Sequence, residues 1–284
     1  MPVNADLICN RPFEPVVEDY DQSRTILYAL GVGAGMSAAE LDLVYEKDLK
    51  TLPAMATTLA QDPLWMLDPA TGITMTHVLH GEQGLEVHSP LPKSGTVKAQ
   101  THIDALFDKG DKGAVMLMRR ELTDAANGQR LVTTRNSVFM RADGNFGGTT
   151  DGQPRPHPIP DRAADLIQEV ATRPDQALIY RLSGDYNPLH VDVGLARAAG
   201  FERPILHGLC TYGIVSRELI AELCAADPTR LIRFDARFSS PVFPGDTLTV
   251  ELWHDAPGKG SFRVGVANRG VTVLNNGRID YRAQ

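Results

Sequence analysis

The 284-residue sequence contains only three cysteines, and they are widely separated: Cys9, Cys210 and Cys224. Both a disulfide framework and a thiolate metal site need paired or clustered cysteines, so neither is expected. No apolar run approaches the roughly 18 residues that a membrane-spanning helix requires. The first residues lack the apolar core of a signal peptide, and the last four, Tyr-Arg-Ala-Gln, are not a peroxisomal Ser-Lys-Leu address. We therefore expect a cytoplasmic protein without membrane partners.

Positive charge is also scarce in this sequence. The 28 Lys and Arg residues are outnumbered by 35 Asp and Glu, which gives a formal net charge of −7. Proteins that bind nucleic-acid phosphates usually carry an excess of basic residues, so we do not expect a nucleic-acid partner. The hydrophobic fraction of 43% and the charged fraction of 22% are typical of a globular protein. Small molecules or further copies of the chain are the expected partners.

A stretch rich in glycine and proline, residues 144–160, separates two better-patterned halves. We interpret it as a linker between one domain at 1–143 and another at 161–284. The two halves share an order of turns and alternating runs, which predicts a duplicated antiparallel meander; the alternative is two unrelated β regions. The matching pairs are Ser89-Pro90 with Ser240-Pro241, run 96–103 with run 247–253, Lys112-Gly113 with Lys259-Gly260, and the turn Asn127-Gly128 with Asn276-Gly277.

Helix signals are few. Apolar spacing predicts helices over 21–30, 163–171 and 208–225, the last with the small residues Gly213 and Ser216 at a face that a neighbour can approach closely. Four alternating runs follow the third helix, at 231–239, 247–255, 261–266 and 271–281. A long helix followed by four strands predicts an α+β half in which the sheet curls round the helix, which is the hotdog fold.

The segment Tyr180-Arg-Leu-Ser-Gly-Asp-Tyr-Asn-Pro-Leu-His190 carries the most chemistry. Asn187 before a proline is typical of an N-cap, and Gly200 of a left-handed stop, so the pattern predicts a short helix over 188–199. Asp185 then lies in the turn before the helix and His190 on its first turn, where the chain can bring them together. Unpaired backbone N–H groups at the helix start disfavour protonation of His190, which suits a neutral base.

Other interpretations of these residues are open at this point. One alternative is that Asp185 and Asn187 serve only as caps and His190 only as a structural hydrogen-bonding group. A metal site formed by Asp185, His190, Asp192 and His207 has no recognised zinc spacing, so we expect no metal. The glycine-rich run 31–35 is similar to a dinucleotide-binding loop, but it lacks the last glycine of that motif and follows a helix-like run. It is interpreted as a helix stop.

The string at 180–190, followed by Pro204-Ile-Leu-His-Gly-Leu-Cys-Thr-Tyr-Gly213, resembles the signature of the hydratase 2 family. These are the MaoC-like (R)-specific enoyl-CoA hydratases, which include the hydratase domains of peroxisomal multifunctional enzymes of type 2. The resemblance covers nearly the whole chain in order. It implies a double hotdog, with two antiparallel sheets each curled round a long helix, and an N-terminal half without catalytic residues. Further matching fragments are Leu79-His-Gly-Glu-Gln83, Asp108-Lys-Gly110, Phe146-Gly-Gly148, Ala236-Arg-Phe238 and Pro244-Gly-Asp-Thr-Leu248.

The resemblance implies a hydro-lyase that adds water in the syn sense to a trans-2-enoyl-CoA and yields a (3R)-3-hydroxyacyl-CoA, without a metal or another cofactor. In this sequence His190 would polarise the attacking water, while Asp185 would orient it and deliver a proton to the α-carbon. Asn187 would help hold the water, and the Gly208 N–H would bind the thioester oxygen. Two other functions are possible on the same fold: acyl-CoA thioester hydrolysis and non-catalytic binding of acyl-CoA.

For the substrate, the resemblance implies that the CoA and acyl path follows His80, Gly81, Lys109 and Phe238, with Lys109 facing a phosphate or the adenine. Glu46 matches a functional position of the family, and a purely structural role is the alternative. Loss of one catalytic site would leave room for medium to long or branched acyl chains, and the family resemblance favours a homodimer. Two histidines match no family position and are expected on the surface or on strands: His77 and His88.

Overall fold

The protein is described here by a computed structural model that covers residues 2–283. Its strands are β1 (Val16–Tyr20), β2 (Val78–Val87), β3 (Gly95–Asp108), β4 (Ala114–Asp124), β5 (Arg130–Met140), β6 (Leu166–Ala171), β7 (Leu231–Phe238), β8 (Thr247–Ala256), β9 (Lys259–Val266) and β10 (Val271–Tyr281). Its α-helices are α1 (Ala5–Cys9), α2 (Gln22–Gly31), α3 (Leu41–Val44), α4 (Gln176–Tyr180), α5 (Val193–Ala198) and α6 (Gly208–Leu223). None of the helices in this described part is long and apolar enough to cross a bilayer.

The strands form one ten-stranded antiparallel sheet in the order β1-β3-β4-β5-β2-β7-β10-β9-β8-β6. Counted outward from the central β2–β7 pair, the two halves repeat one order: β2-β5-β4-β3-β1 and β7-β10-β9-β8-β6. The predicted duplicated meander is therefore confirmed. The structure differs from the expected pair of separate sheets, because Gln83 of β2 pairs with Ala236 of β7 and joins the two units edge to edge.

Helix α6 is the long helix that the sequence predicts, and the C-terminal half of the sheet packs around it. The Tyr212 hydroxyl donates to the carbonyl oxygen of Phe234 on β7 at 2.6 Å. A Cβ atom on Gly213 would lie 2.6 Å from Cγ1 of Val32 and 2.7 Å from the hydroxyl of Tyr28. The absence of a side chain at Gly213 therefore lets α2 approach α6 closely, as predicted.

The N-terminal half has no equivalent of α6 among its described residues. In its place lies the segment 51–60, every residue of which is buried, with a 3-10 helix at Pro53–Thr57. The expectation of a long helix in each half is therefore wrong for this half. Because this segment is much shorter than α6, it covers less of the concave face of the sheet.

Two local predictions are wrong. Residues 163–171 do not form a helix: 166–171 are edge strand β6, which pairs with β8 and whose exposed side chains alternate with half-buried or buried ones. This period of two is the strand pattern. Asn276-Gly277 is not the β9–β10 turn, which includes Gly270 at φ 62°. Instead the pair forms a bulge inside β10, where Asn276 has φ 54° and the register shifts.

The region between β5 and β6, residues 141–165, contains no helix or strand. Part of it is fixed to the C-terminal sheet, because His157 Nε2 lies 2.7 Å from the Ser261 hydroxyl and the Asn276 side chain donates to the His157 carbonyl at 2.8 Å. The domain boundaries placed at 144 and 160 stay a prediction.

Candidate functional site

The turn that carries Asp185 is fixed by the opposite half of the molecule. Gly184 adopts φ 110°, a left-handed conformation that favours glycine. Arg24 of α2 donates to the carbonyl oxygens of Leu182 at 3.1 Å and Ser183 at 2.8 Å. The chain therefore turns at Gly184 while an N-terminal arginine holds the residues before it. The Asp185 carboxylate follows directly and accepts from the Asn187 N–H at 3.2 Å.

The segment after this turn is not the single helix predicted over 188–199. A 3-10 turn spans Pro188–His190, and α5 begins only at Val193. Asn187 caps the turn, with its side-chain oxygen 3.0 Å from the Leu189 N–H, as predicted. A second cap, Asp192, starts α5 by accepting from the Leu195 N–H at 2.8 Å. The break at Val191, where φ is −137°, separates the two and leaves His190 facing the interior at 8% exposure.

The hydrogen bond of His190 defines its tautomer. Its Nδ1 lies 2.9 Å from the carbonyl oxygen of Ile205. A carbonyl can only accept, so Nδ1 carries the proton and the lone pair is on Nε2. Burial lowers the pKa of His190, although the Ile205 carbonyl and the Asp185 charge act in the opposite direction. The neutral base expected from the sequence is thus supported, but burial is the main cause, not the helix start.

His207 stacks on His190, with ring centroids 3.7 Å apart and planes at 29°. Its Nε2 donates to the Asp185 backbone carbonyl at 3.1 Å, and its buried Nδ1 has no partner among the described residues. Burial, together with the adjacent His190, lowers the pKa of His207 to about 4. The imidazole therefore stays neutral, which avoids a second charge beside the base.

Asp185, His190 and His207 converge on one point. One carboxylate oxygen and one nitrogen from each ring lie within 4.8 Å of one another. This set has the donor types that could hold a cation, whereas Asp192, the fourth metal candidate from the sequence, caps α5 instead. The same set also fits a water molecule held between a carboxylate and an imidazole lone pair.

The start of α6 forms another side of the site. His207 is the N-cap residue and makes no side-chain cap bond, so the first N–H groups of the helix, including that of Gly208, are not capped. A Cβ on Gly208 would lie 3.2 Å from the Phe238 ring, so glycine allows this ring to lie against the helix start. The ring of His80 contacts Phe238 edge-on at 4.8 Å between centroids. Burial lowers the pKa of His80 to about 4.

A cavity of about 260 Å³ extends from Asp185 into the N-terminal half. His80, Leu209, Tyr180 and Gly184 line it near Asp185. The remaining lining comes from the N-terminal half: Thr57, Thr58, Gln61, Asp62, Pro63, Trp65, Met66, Gln83, Thr101, Met118, Arg120, Thr134 and Asn136. The cavity therefore leads from Asp185 to the concave face that lacks a long helix.

The structure does not bring every predicted site residue together. Gly81 lies at a bulge in β2, where a Cβ would come within 2.7 Å of the Ser137 hydroxyl. Lys109 lies in the β3–β4 turn with its ammonium 5.4 Å from the Phe107 ring, outside the cavity lining. Glu46 is exposed in the loop after α3. His77 and His88, which were expected on the surface or on strands, are placed accordingly. His77 is exposed, and His88 directly follows β2 beside Thr133.

Three residues of the site were missed as such by the sequence reasoning. His207 was considered only as a metal ligand, and Tyr180 was quoted only as part of a motif, although its buried hydroxyl has no partner among the described residues. Arg120 does have a signal in the sequence. It occupies an inward position of β4, in register with the apolar Met118 and Leu122 on the same face. A charge at such a position is unusual for a strand with one buried face.

Comparison with known proteins gives two family matches. Residues 156–276 match the MaoC like domain, and residues 19–142 match the MFE-2 hydratase 2 N-terminal domain. The chain is 38% identical over 283 residues to 3-hydroxyacyl-thioester dehydratase Y of Mycobacterium tuberculosis, with 95% of this chain and 96% of that protein covered. It is 36% identical to peroxisomal multifunctional enzyme type 2 of Mus musculus, where the match covers 92% of this chain and 36% of that protein.

A solved structure is similar over nearly the full length. The crystal structure of a MaoC-like dehydratase from Phytophthora capsici superposes with a TM-score of 0.89 at 32% identity, and 99% of each chain is covered. The two units of the sheet therefore belong to a known architecture.

Proposed function

The chain belongs to the MaoC-like dehydratase family of the hydratase 2 type, and we propose that it catalyses reversible syn hydration of trans-2-enoyl-CoA to (3R)-3-hydroxyacyl-CoA. This is a hydro-lyase reaction. The observation that carries the proposal is the convergence of the Asp185 carboxylate and the His190 imidazole within 4.8 Å, beside the start of α6. The relative named a 3-hydroxyacyl-thioester dehydratase supports the same chemistry, because dehydration is the reverse reaction.

In the forward direction, a water molecule between Asp185 and His190 attacks the β-carbon of the enoyl thioester. His190 Nε2 polarises this water, since the bond from Nδ1 to Ile205 leaves the Nε2 lone pair free. The oxygen of the water bonds to the β-carbon and keeps one hydrogen. The other proton passes through His190 and Asp185, and Asp185 delivers it to the α-carbon. No net proton is gained or lost by the enzyme. General acid–base catalysis of this kind contributes about 10²–10⁴-fold per group.

The negative charge that develops on the thioester oxygen needs a donor. We assign this role to the Gly208 N–H at the start of the 16-residue helix α6, because helix N-termini stabilise anions and an oriented backbone donor needs little reorganisation. Asn187 uses its side-chain oxygen to cap Leu189. The side-chain N–H groups of Asn187 are therefore the atoms that would donate a hydrogen bond to the water.

For the substrate, we propose medium to long or branched acyl chains. The cavity continues past Asp185 into the N-terminal half, and this supports an acyl path next to His80 and Phe238. The structure gives no support for Lys109 or Gly81 on this path. A role in fatty-acid β-oxidation, a homodimer and a cytoplasmic location stay predictions. Sedimentation of the purified protein would test the dimer.

We also propose that the reaction needs no metal or other cofactor. The Asp185–His190–His207 set could hold a cation, so this proposal requires a direct test. Hydration should proceed at an unchanged rate after dialysis against a chelator. A loss of activity that Zn²⁺ or another divalent cation restores would contradict the proposal.

The function itself is tested by incubating the purified protein with a series of trans-2-enoyl-CoAs and following the absorbance of the enoyl thioester. We expect the absorbance to fall and chiral analysis to give the 3R product. Release of free CoA thiol would instead identify a thioesterase. Binding of acyl-CoA without turnover would identify a non-catalytic acyl-CoA-binding protein.

A further inference from the structure

The concave faces of the two halves differ in polarity. In the C-terminal half the buried strand residues on this face are apolar and lie against α6, for example Phe234, Val250 and Phe262. In the N-terminal half, polar side chains occupy two adjacent cross-strand rows. In one row Arg120 pairs with Thr101 on one side and Thr134 on the other. In the second row Asn136 pairs with Gln83, and the apolar Met118 lies on its other side. We call these polar residues and the space that they line the polar chamber.

Arg120 is the only one of these residues with a formal charge, and it is 6% exposed. Its guanidinium donates to the carbonyl oxygens of Ala56 at 3.0 Å and Ala60 at 3.4 Å. None of the described carboxylates lies within ion-pair distance of it. Glu18, whose negative charge acts on Arg120 from further away, accepts from the Ala60 N–H and pairs with Arg24 at 3.7 Å.

A buried cation of this kind needs an explanation, because buried charges are normally paired. Burial lowers the pKa of Arg120 to about 10, so the group is still protonated at neutral pH. A guanidinium has five N–H donors, and the two carbonyls leave several of them free. Nearby, the indole N–H of Trp65 is also buried without a partner among the described residues. Both residues line the cavity that begins at Asp185.

We propose that the polar chamber binds the distal end of the acyl chain, and that this end carries a carboxylate that pairs with Arg120. The inference rests on the proposed function, because it assumes that the thioester lies at Asp185. A carboxylate matches the planar fork of a guanidinium, and such charge-assisted bonds are among the strongest available. Among the lining residues of the N-terminal half, the carboxylate is Asp62, and it is exposed to solvent. It forms no ion pair with Arg120. The preferred substrates are therefore enoyl-CoA monothioesters of dicarboxylic acids.

The test compares three substrates built on the same trans-2-decenoyl chain. They are trans-2-decenoyl-CoA, the analogue whose terminal carbon is a carboxylate, and the methyl ester of that analogue. We expect kcat/KM to be about 10- to 100-fold higher for the carboxylate than for the plain chain, the range for hydrogen bonds to charged groups. In the Arg120→Met variant the ratio of the two kcat/KM values, carboxylate over plain chain, should fall to about 1. Arg119→Met is the matched control, because Arg119 is the next residue on the opposite face of β4 and pairs with Asp104.

Several results would overturn the inference. It fails if the wild-type protein shows no preference for the carboxylate, if the methyl ester is an equally good substrate, or if Arg120→Met keeps the preference. In each of these cases hydration still occurs, so the proposed function stands. If Arg120→Met does not fold, Arg120→Lys takes its place and should reduce the preference, because lysine lacks the planar fork.

If no enoyl-CoA is hydrated, the proposed function fails and the chamber is tested by binding. Calorimetry with saturated decanoyl-CoA and its terminal carboxylate analogue then compares the dissociation constants. Tighter binding of the carboxylate by about 10-fold or more, lost in Arg120→Met, would support the chamber. Equal binding would overturn it.

Discussion

His190 can act as a base at neutral pH because its surroundings favour the uncharged ring. Burial lowers its pKa, while the Ile205 carbonyl and the Asp185 carboxylate partly oppose this effect. The stacked ring of His207, whose pKa is lowered to about 4, adds no positive charge nearby. At the scale of single residues, the balance between burial and these contacts therefore controls the catalytic protonation state.

We expect kcat/KM for hydration to be constant around neutral pH and to fall as the pH drops through a value below 6.5, the ordinary histidine pKa. The sign follows from the lowered pKa: His190 stays neutral above its pKa in the folded protein and loses its Nε2 lone pair below it. A pH profile of kcat/KM with a single enoyl-CoA measures this. A fall in activity that begins at or above the ordinary value would contradict the assigned environment.

Sequence motifs predicted the residues at the site better than they predicted its surroundings. Asp185 and His190 lie in one short string, and a turn of that string brings them together. The contact from His190 to Ile205 spans 15 positions, and no local pattern encodes it. Likewise, Arg120 lines a cavity because the N-terminal half has no long helix over this part of the sheet. A charged residue in an alternating strand pattern does not by itself predict that the helix is missing.

At the scale of elements, helix α6 determines where the site is built, because its start supplies Gly208 and follows His207. Its close contact with α2 depends on Gly213, whose missing Cβ leaves room for Val32 and Tyr28. Arg24 of the same α2 holds the turn before Asp185. The packing of α2 on α6 and the position of the carboxylate are therefore linked.

Gly213→Ala should lower the free energy of unfolding by about 1–3 kcal/mol, the usual cost of overpacking a core. The new methyl group would overlap the Val32 side chain and the Tyr28 hydroxyl, at 2.6 and 2.7 Å. Urea unfolding measures the change. Gly194→Ala, a glycine in helix α5, is the control and should be close to neutral. Equal stability of Gly213→Ala and the wild type would show that α2 and α6 are not tightly packed there.

Elements with strong signals were predicted well, and the errors have physical causes. Helix α6 and the four strands after it agree with the spacing of apolar residues. Strand β6 was mistaken for a helix because a short edge strand with Ala, Leu, Ile and Val carries apolar residues at both helical and strand spacing. Asn276-Gly277 has the composition of a hairpin turn, but the left-handed conformation of Asn276 is used in a bulge.

At the scale of the whole molecule, the continuous sheet joins the two halves. Strands β2 and β7 pair along five positions, and a single cluster of buried residues contains Leu85 and Leu122 of the first half together with Leu219 and Val250 of the second. The predicted linker suggested two separable domains, and pattern alone could not reveal that their edges pair.

We therefore expect one cooperative thermal transition, because neither half can unfold without exposing the shared core and the β2–β7 edge. Scanning calorimetry should give a single peak whose calorimetric and van't Hoff enthalpies agree. Two resolved peaks would indicate that the halves are independently stable and would contradict this account.

The central claim is that Asp185 and His190 together carry out hydration, with Asp185 at the cavity that extends into the N-terminal half. The most direct test measures kcat/KM for one trans-2-enoyl-CoA with the wild type, Asp185→Asn and His190→Ala, with thermal unfolding of each recorded alongside. We predict that each variant loses about 10²-fold or more in kcat/KM and still unfolds in a cooperative thermal transition, which shows that it is folded when it is assayed. A folded variant of either residue that hydrates the substrate at the wild-type rate would contradict the claim.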